Sequence, residues 1–300
     1  MSKSLSQENF LQSLSDALVE VTENVSPSVV QVSAGRGLGS GVVWNKQGHV
    51  VTSNHVVGRS KEVEVTIPNG RSYAASLIGQ DRYSDTAVLK INGSEDLIPI
   101  ERGDSNNLSV GQFVLALANP FGETVAATFG IVTNPRASVG GPWSGQVVIT
   151  DTKLNPGYSG GPLVDASGRM VGMNAGAFSN RGIAIPVSTL EAVVRDLSND
   201  GKIRRAYLGV ISQPIELPDD VAQEAGQEEG LLVLSVEART PAKRAGIAVG
   251  DIIVKVDSKQ IRNYYDLQRL LTSGLIGKST RVSVLRGEKP LELTITPSEV

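Results

Sequence analysis

Residues 154–165 read LNPGYSGGPLVD, and the reading of this stretch decides the fold. Gly157, Ser159 and Gly161 match G-x-S-x-G, the sharp turn that presents the nucleophilic serine of α/β-hydrolases. In those enzymes the turn opens directly into a helix, and the histidine partner follows the serine in the chain. Here Gly160, Gly161 and Pro162 lead into the strand-like run Leu163, Val164 and Asp165, and no histidine follows Ser159. The α/β reading is therefore excluded. A serine among glycines is in most proteins only a turn, but this one meets a further requirement. Acyl transfer needs backbone N–H groups aimed at a developing oxyanion, and a glycine two residues ahead of the nucleophile can adopt the backbone that turns its N–H inward. Gly157 holds that place, so the Gly157 and Ser159 amides are the expected oxyanion donors. Gly160 and Gly161 let the chain pass close beneath.

A serine of this kind needs a base. The chain has 2 histidines, which keeps the search short. His49 follows a Gly turn at the start of an apolar run (NKQGHVVTS), where an exposed structural residue is expected. His55 lies where a β run ends in polar residues and resumes (VVTSNHVVG), and is the expected base. The orienting acid should lie between His55 and Ser159, which leaves Asp81, Asp85, Asp96, Asp104 and Asp151 as candidates. Asp85 directly precedes the apolar strand TAVLKI, so its carboxylate can face inward from a strand edge. Asp81 and Asp104 read as turn residues, and Asp151 could help order the loop ahead of Ser159. Asp85 is preferred. The order His55, Asp85, Ser159 is that of the chymotrypsin class.

Outward from these residues, 29–187 breaks into many short Val/Ile/Leu runs punctuated by Gly, Asn and Pro. That pattern fits a barrel or sandwich and does not alternate with helices. STLEAVVRDLSNDGKI then reads as a helix capped by Ser188 and ended by Gly201. After Arg204 a small α+β unit begins, giving an expected division into 1–25, 26–203 and 204–300. Residues 1–25 read as an amphipathic helix through Leu11, Leu14, Leu18, Val21 and Val25. It packs on its own domain on one reading and mediates self-association on the other.

Composition narrows the function. Glycine supplies 32 of 300 residues, above the usual share of roughly 7%. The net charge of −3 with evenly mixed signs gives no reason to expect nucleic acid. There is no cysteine, so disulfides and thiolate metal sites are excluded. No apolar run reaches the roughly 18 residues a membrane span needs. No basic start and apolar core marks an export signal. With Met1 as the native start the expectation is cytoplasmic; a chain trimmed of its signal would read the same and be periplasmic or otherwise extracytoplasmic.

The motifs GLGSGVVW, GHVVTSNHVV, DTAVLKI, RGDSNNLSVGQFVLALANPFG, TFGIVT, TDTKLNPGYSGGPLVD and GIAIPV occur in the order and spacing of the HtrA/Deg family of PDZ-containing serine proteases. RRAYLGV, TPAKRAGIAVGDIIVKVDSKQI and the region through VSVLRG resemble the family's PDZ domain. The resemblance covers roughly residues 25–297. It implies a mainly β, chymotrypsin-like double β-barrel protease domain followed by a small α+β PDZ domain, with no metal or ATP required. It implies a homotrimer assembled through protease domains and N-terminal segments. The implied activity is cleavage of unfolded or damaged polypeptides, regulated by peptide C-termini. The alternative is a peptide-binding chaperone or sensor with a dormant protease domain. Tyr207, Leu208, Gly209 and Val210 fall on the carboxylate-binding loop, and Leu267, Leu270 and Leu271 read either as pocket lining or as plain core. Leu154, Ile183 and Ile185 would build an apolar P1 pocket. Three features depart from the family. Tyr158 stands where Asn is common, and its ring could cover the oxyanion side. Thr152 and Lys153 replace small residues, and Lys153 either faces solvent, the favoured reading, or selects an acidic P1 side chain. An export signal or anchor is lacking.

Overall fold

The computed structural model describes residues 2–35, 37–60, 62–92, 97–138, 146–178, 181–287 and 289–299. It divides into two units, Met1–Lys202 and Ile203–Val300.

In the first unit the punctuated apolar runs become twelve short strands. The first six are β1 (Val29–Ala34), β2 (Gly37–Val43), β3 (His49–Ser53), β4 (Val63–Thr66), β5 (Ser72–Asp81) and β6 (Thr86–Ile91). They close on themselves in the order β1-β2-β3-β6-β5-β4. The next six are β7 (Phe113–Ala118), β8 (Ala126–Ser138), β9 (Gln146–Thr150), β10 (Pro162–Asp165), β11 (Met170–Phe178) and β12 (Arg181–Pro186). They close in the order β10-β11-β12-β9-β8-β7. Both barrels are antiparallel, and β-branched residues suit their pleated, half-buried surfaces. Val30, Val32, Val43, Val50, Val65 and Leu89 fill the first, and Ala116, Ala118, Val148, Leu163 and Ala184 fill the second. The strand pattern allowed a barrel or a sandwich; the two closed barrels are the double-barrel architecture that the family resemblance implies.

Three helices decorate this unit: α1 (Ser2–Val25), the single turn α2 (Asn54–Val57) and α3 (Val187–Asp200). Among the described side chains of α1, burial increases toward its C-terminal end. Val25 is buried and Val21 half-buried, both close to Gly168 in the turn between β10 and β11, whereas Phe10 and Leu11 are 68% and 64% exposed. α3 ends at Gly201 in the left-handed conformation, as expected, but Ser188 is not its cap. Its N-cap position is Pro186, which offers no side-chain acceptor. The Ser105 hydroxyl, from the loop before β7, instead accepts the Ser188 N–H at 3.1 Å. A cap supplied from 83 residues away cannot be seen in local sequence.

The second unit is an α+β domain. A sheet with the strand order Val210–Glu216, Glu229–Val236, Ile252–Val256, Thr280–Arg286 and Lys289–Ile295 packs around Leu208, Leu231, Ile253, Val282 and Val284. Leu267 and Leu271 are buried in the same cluster, and Leu270 packs against it. They are core residues, the plainer of the two readings.

Candidate active site

His55 is carried by α2, where β3 ends at Ser53 and the chain makes one helical turn. Buried Val56 and Val57 hold that turn down. Asp85 fixes it from the side with three contacts. Its Oδ2 faces His55 Nδ1 at 2.7 Å, its Oδ1 accepts the His55 backbone N–H at 2.9 Å, and its carbonyl accepts the Asn54 N–H at 2.9 Å. Asp85 is 4% exposed and has φ +48°. A non-glycine residue in the left-handed region is unusual, and such strain concentrates at functional sites. The turn is built by Asp81, whose Oδ2 accepts both the N–H and the hydroxyl of Ser84. Asp81 thus shapes the turn that positions Asp85. Of the other acids, Asp104 caps the short helix Ser105–Asn107 and Asp151 accepts the Ile131 N–H. Asp96 lies outside the described residues.

The imidazole remains half accessible, with 51% of its side chain exposed. The hydrogen bond to Asp85 raises its pKa, burial opposes that rise, and the carboxylate charge adds to it. His49, at the start of β3, is half-buried rather than exposed. Its Nδ1 meets the Asn45 amide, and burial and then Lys90 lower its pKa.

Ser159 sits in a loop whose shape is set by glycines. Gly157 has φ +91° and Gly160 φ +88°, values that a side chain makes costly. A Cβ at Gly160 would lie 2.0 Å from the Ser40 carbonyl oxygen, and one at Gly161 would lie 2.2 Å from that of Leu117. The loop is closed by Tyr158 N–H donating to Asn155, Gly161 N–H to Tyr158 and Gly160 N–H to Asn174. Among the described residues the N–H groups of Gly157 and Ser159 donate to nothing. The two halves of the site meet at Gly39 of β2. A Cβ there would lie 2.6 Å from Val56 Cγ2 and 2.9 Å from the Ser159 carbonyl oxygen. The residue after His55 and the backbone of Ser159 thus converge on one glycine.

Tyr158 does not cover the oxyanion side. Its ring is 4% exposed and lies in the second barrel's core with Ala116, Ala118 and Ala184, whose small side chains leave room for it. Burial raises the phenol pKa, with the nearby Thr128 hydroxyl opposing it. Leu154 packs against this same cluster. Ile183 and Ile185 do not join it. Side chains alternate along a strand, so with Ala184 inside the barrel they lie on the opposite face of β12. Thr152 is buried against Thr150, their hydroxyls 2.6 Å apart, and Lys153 is exposed. Among the described residues no three His, Asp or Glu side chains gather to hold a metal ion.

In the second unit Gly209 has φ +86°, and a Cβ on it would lie 2.3 Å from Thr240 Cβ. The Leu208 and Gly209 carbonyls are taken by Ala242 and Glu237 N–H groups, whereas their own N–H groups donate to nothing among the described residues. Tyr207 donates its hydroxyl to Glu237 at 2.6 Å, and Val210 opens the strand Val210–Glu216 at one end of the sheet.

Comparison with known proteins agrees with this geometry. Residues 39–173 match the trypsin-like peptidase domain family and residues 206–296 the PDZ domain family. Protease Do-like 1, chloroplastic, of Arabidopsis thaliana is 36% identical over 283 residues, which are 87% of this chain and 63% of that protein. The probable periplasmic serine endoprotease DegP-like of Halomonas elongata is 34% identical over 269 residues, 87% of this chain and 56% of that one. The chain thus spans about three fifths of the length of these curated relatives, and their named compartments lend no support to a cytoplasmic location. No described helix is long and apolar enough to cross a membrane. The solved structure of the serine endoprotease from Yersinia pestis superposes with a TM-score of 0.74 at 30% identity, covering 93% of this chain and 97% of that one. Matched over 93% of its length by that enzyme, with a peptidase domain ahead of a PDZ domain, the protein belongs to the HtrA/Deg family of PDZ-containing serine proteases.

Proposed function

We propose that this chain is a serine endopeptidase that cleaves unfolded or damaged polypeptides without ATP, and that peptide C-termini bound by its PDZ domain regulate it. Ser159 attacks the scissile carbonyl, His55 accepts its proton, and Asp85 holds the imidazole in the tautomer with the proton on Nδ1. The Gly157 and Ser159 N–H groups receive the oxyanion, and water then releases the acyl group. The observation that carries this reading is the threefold grip of Asp85 on the His55 turn. Leu154, Ile183 and Ile185 form the apolar P1 pocket, with Lys153 facing solvent. The loop Tyr207, Leu208, Gly209 and Val210 binds a peptide carboxylate through its N–H groups while the peptide adds to the sheet edge. In domain terms 26–203 is the protease and 204–300 the PDZ domain. The relatives' names favour a compartment outside the cytoplasm.

Labelling with a fluorophosphonate probe tests the site directly. The expected result is a single adduct on Ser159, formed faster when a peptide ending in a free carboxylate is added. Absence of an adduct with and without peptide would instead favour a dormant, peptide-binding chaperone.

We place a homotrimer contact on α1, because Phe10, Leu11 and Val19 are exposed along it at 68%, 64% and 53%, an arrangement a lone helix gains nothing from. The full chain should sediment as a trimer and the Phe10→Asp/Leu11→Asp variant as a smaller species. A variant that remains trimeric places the contact elsewhere.

A further inference from the structure

Serine stands at residue 40 in the middle of β2, a strand otherwise made of Gly, Leu and Val, and it is fully buried. A polar residue there must have its hydrogen bonds supplied from within the protein. They are supplied from the active-site loops and from β3. The Ser40 hydroxyl donates to the Gly157 carbonyl at 2.7 Å and accepts the Asn119 N–H at 2.8 Å. The Ser40 N–H donates to the Ser159 carbonyl at 2.8 Å, and the Ser40 carbonyl accepts the Thr52 hydroxyl at 2.6 Å. One residue of the first barrel therefore ties the strand leading to His55, the end of β7 in the second barrel, and both residues expected to bind the oxyanion.

The loop after β7 is fixed to the first barrel as well. Asn119 Nδ2 donates to the Val29 carbonyl, and Gln31 Nε2 donates to that of Pro120. Pro120 in turn presses on Gly157, where a Cβ would lie 2.6 Å from Pro120 Cβ. Gly157 thus has Pro120 against its α-carbon and the Ser40 hydroxyl on its carbonyl. The carbonyl of Gly157 and the N–H of Tyr158 form one rigid peptide plane, set between the two free N–H groups of Gly157 and Ser159. Holding that plane fixes the direction in which both of those N–H groups point.

We infer that Ser40 is a positioning residue for the oxyanion site, whose hydroxyl holds the Gly157–Tyr158 peptide in the orientation that transition-state binding requires. The inference rests on the acyl-transfer reading above. It predicts a loss in the chemical step and not in substrate binding, because Ser40 is fully buried and makes its contacts with the protein.

The test uses the full chain, assayed with a peptide substrate and a fixed excess of C-terminal peptide. Ser40→Ala leaves the Gly157 carbonyl and the Asn119 N–H unpaired. It should lower kcat by about 10- to 100-fold, less than direct loss of an oxyanion donor, with KM changed by less than about twofold. Ser40→Cys keeps the shape of the side chain at a slightly larger volume and offers only a weak donor, so its kcat should fall between those of the parent and the alanine variant. A role confined to packing would lower the melting temperature and leave kcat of the folded protein intact in both variants, and that result overturns the inference. If Ser40→Ala does not fold, Ser40→Cys decides alone: a fivefold or greater drop in kcat at unchanged KM supports the inference, and a smaller one overturns it. Ser159→Ala separates the two levels of argument. If it is inactive while both Ser40 variants match the parent, only the role of Ser40 fails; if it still cleaves, the acyl-transfer reading fails first.

Discussion

Alanine at Ser159 is expected to lower kcat for peptide hydrolysis by about 10⁶-fold without unfolding the chain. The loop around Ser159 is shaped by Gly157, Gly160 and Gly161, and its ties run through backbone atoms, including the Ser159 carbonyl to the Ser40 N–H. Removing Oγ therefore subtracts the nucleophile and little else. Any remaining rate over water would come from the oxyanion donors and from substrate positioning, effects of about 10³–10⁴ in enzymes of this type. Casein turnover, followed alongside a melting curve, checks both halves of the claim. Undiminished cleavage by a folded alanine variant would place the nucleophile elsewhere.

Asparagine at Asp85 is the second large effect, at about 10⁴-fold in kcat. The substitution keeps the size of the side chain but puts an amide where a carboxylate now accepts from His55 Nδ1 and from the His55 backbone N–H. An NH₂ group facing Nδ1 favours the tautomer with its proton on Nε2, the nitrogen that must take the proton from Ser159. The pH dependence follows from the same contact. The Asp85 hydrogen bond is the first cause of the raised His55 pKa, burial opposes it and the carboxylate charge adds to it. Neutral imidazole is the base, so activity is lost as pH falls through this raised value. Stability runs the other way. A raised folded-state pKa means that the proton is held more tightly in the folded chain. The contribution is fully present below the ordinary histidine value of about 6.5 and disappears as pH rises through the folded-state value. With half of the ring in solvent, the effect on activity is the easier to measure. In Asp85→Asn the acid limb of kcat/KM should move to lower pH, and an unmoved limb would mean that another group sets the pKa.

The pairing of His55 with Asp85 and the glycine-shaped loop at Ser159 could be read from the sequence because each is defined by what surrounds it locally. There are few histidines to choose from, a strand edge follows the aspartate, and glycines frame the serine. The mainly β, barrel-or-sandwich character was legible for a similar reason, since short β-branched runs between turn residues mark closely spaced strands; their closure into two barrels came from the family resemblance. What escaped depends on long-range packing. The fate of the Tyr158 ring is decided by alanines on β7 and β12, which open a space inside the second barrel. The α3 cap comes from Ser105 rather than Ser188. Along β12 alternation puts Ala184 in the second barrel's core and Ile183 and Ile185 on the opposite face. Ser40 stood in plain view in GLGSGVVW, but its partners lie 79 and 117 residues away.

The closure of both barrels limits where another extended chain can anneal. A strand with an unpaired side recruits any extended segment that drifts past, which is how β proteins co-aggregate. Among the described residues, the twelve strands of the protease unit are paired into two closed rings with no such side. The open sides of the large sheet are both in the second unit. Lys289–Ile295, at one end, begins Lys-Pro and carries Glu292, residues that discourage annealing. Val210–Glu216, at the other end, holds Pro214. Proline sits in an edge strand with its missing N–H turned outward, so an incoming chain finds a usable rung only over Val210–Gln213. An extended chain thus meets paired strands in both barrels and, on the large sheet, a usable edge limited to a short stretch.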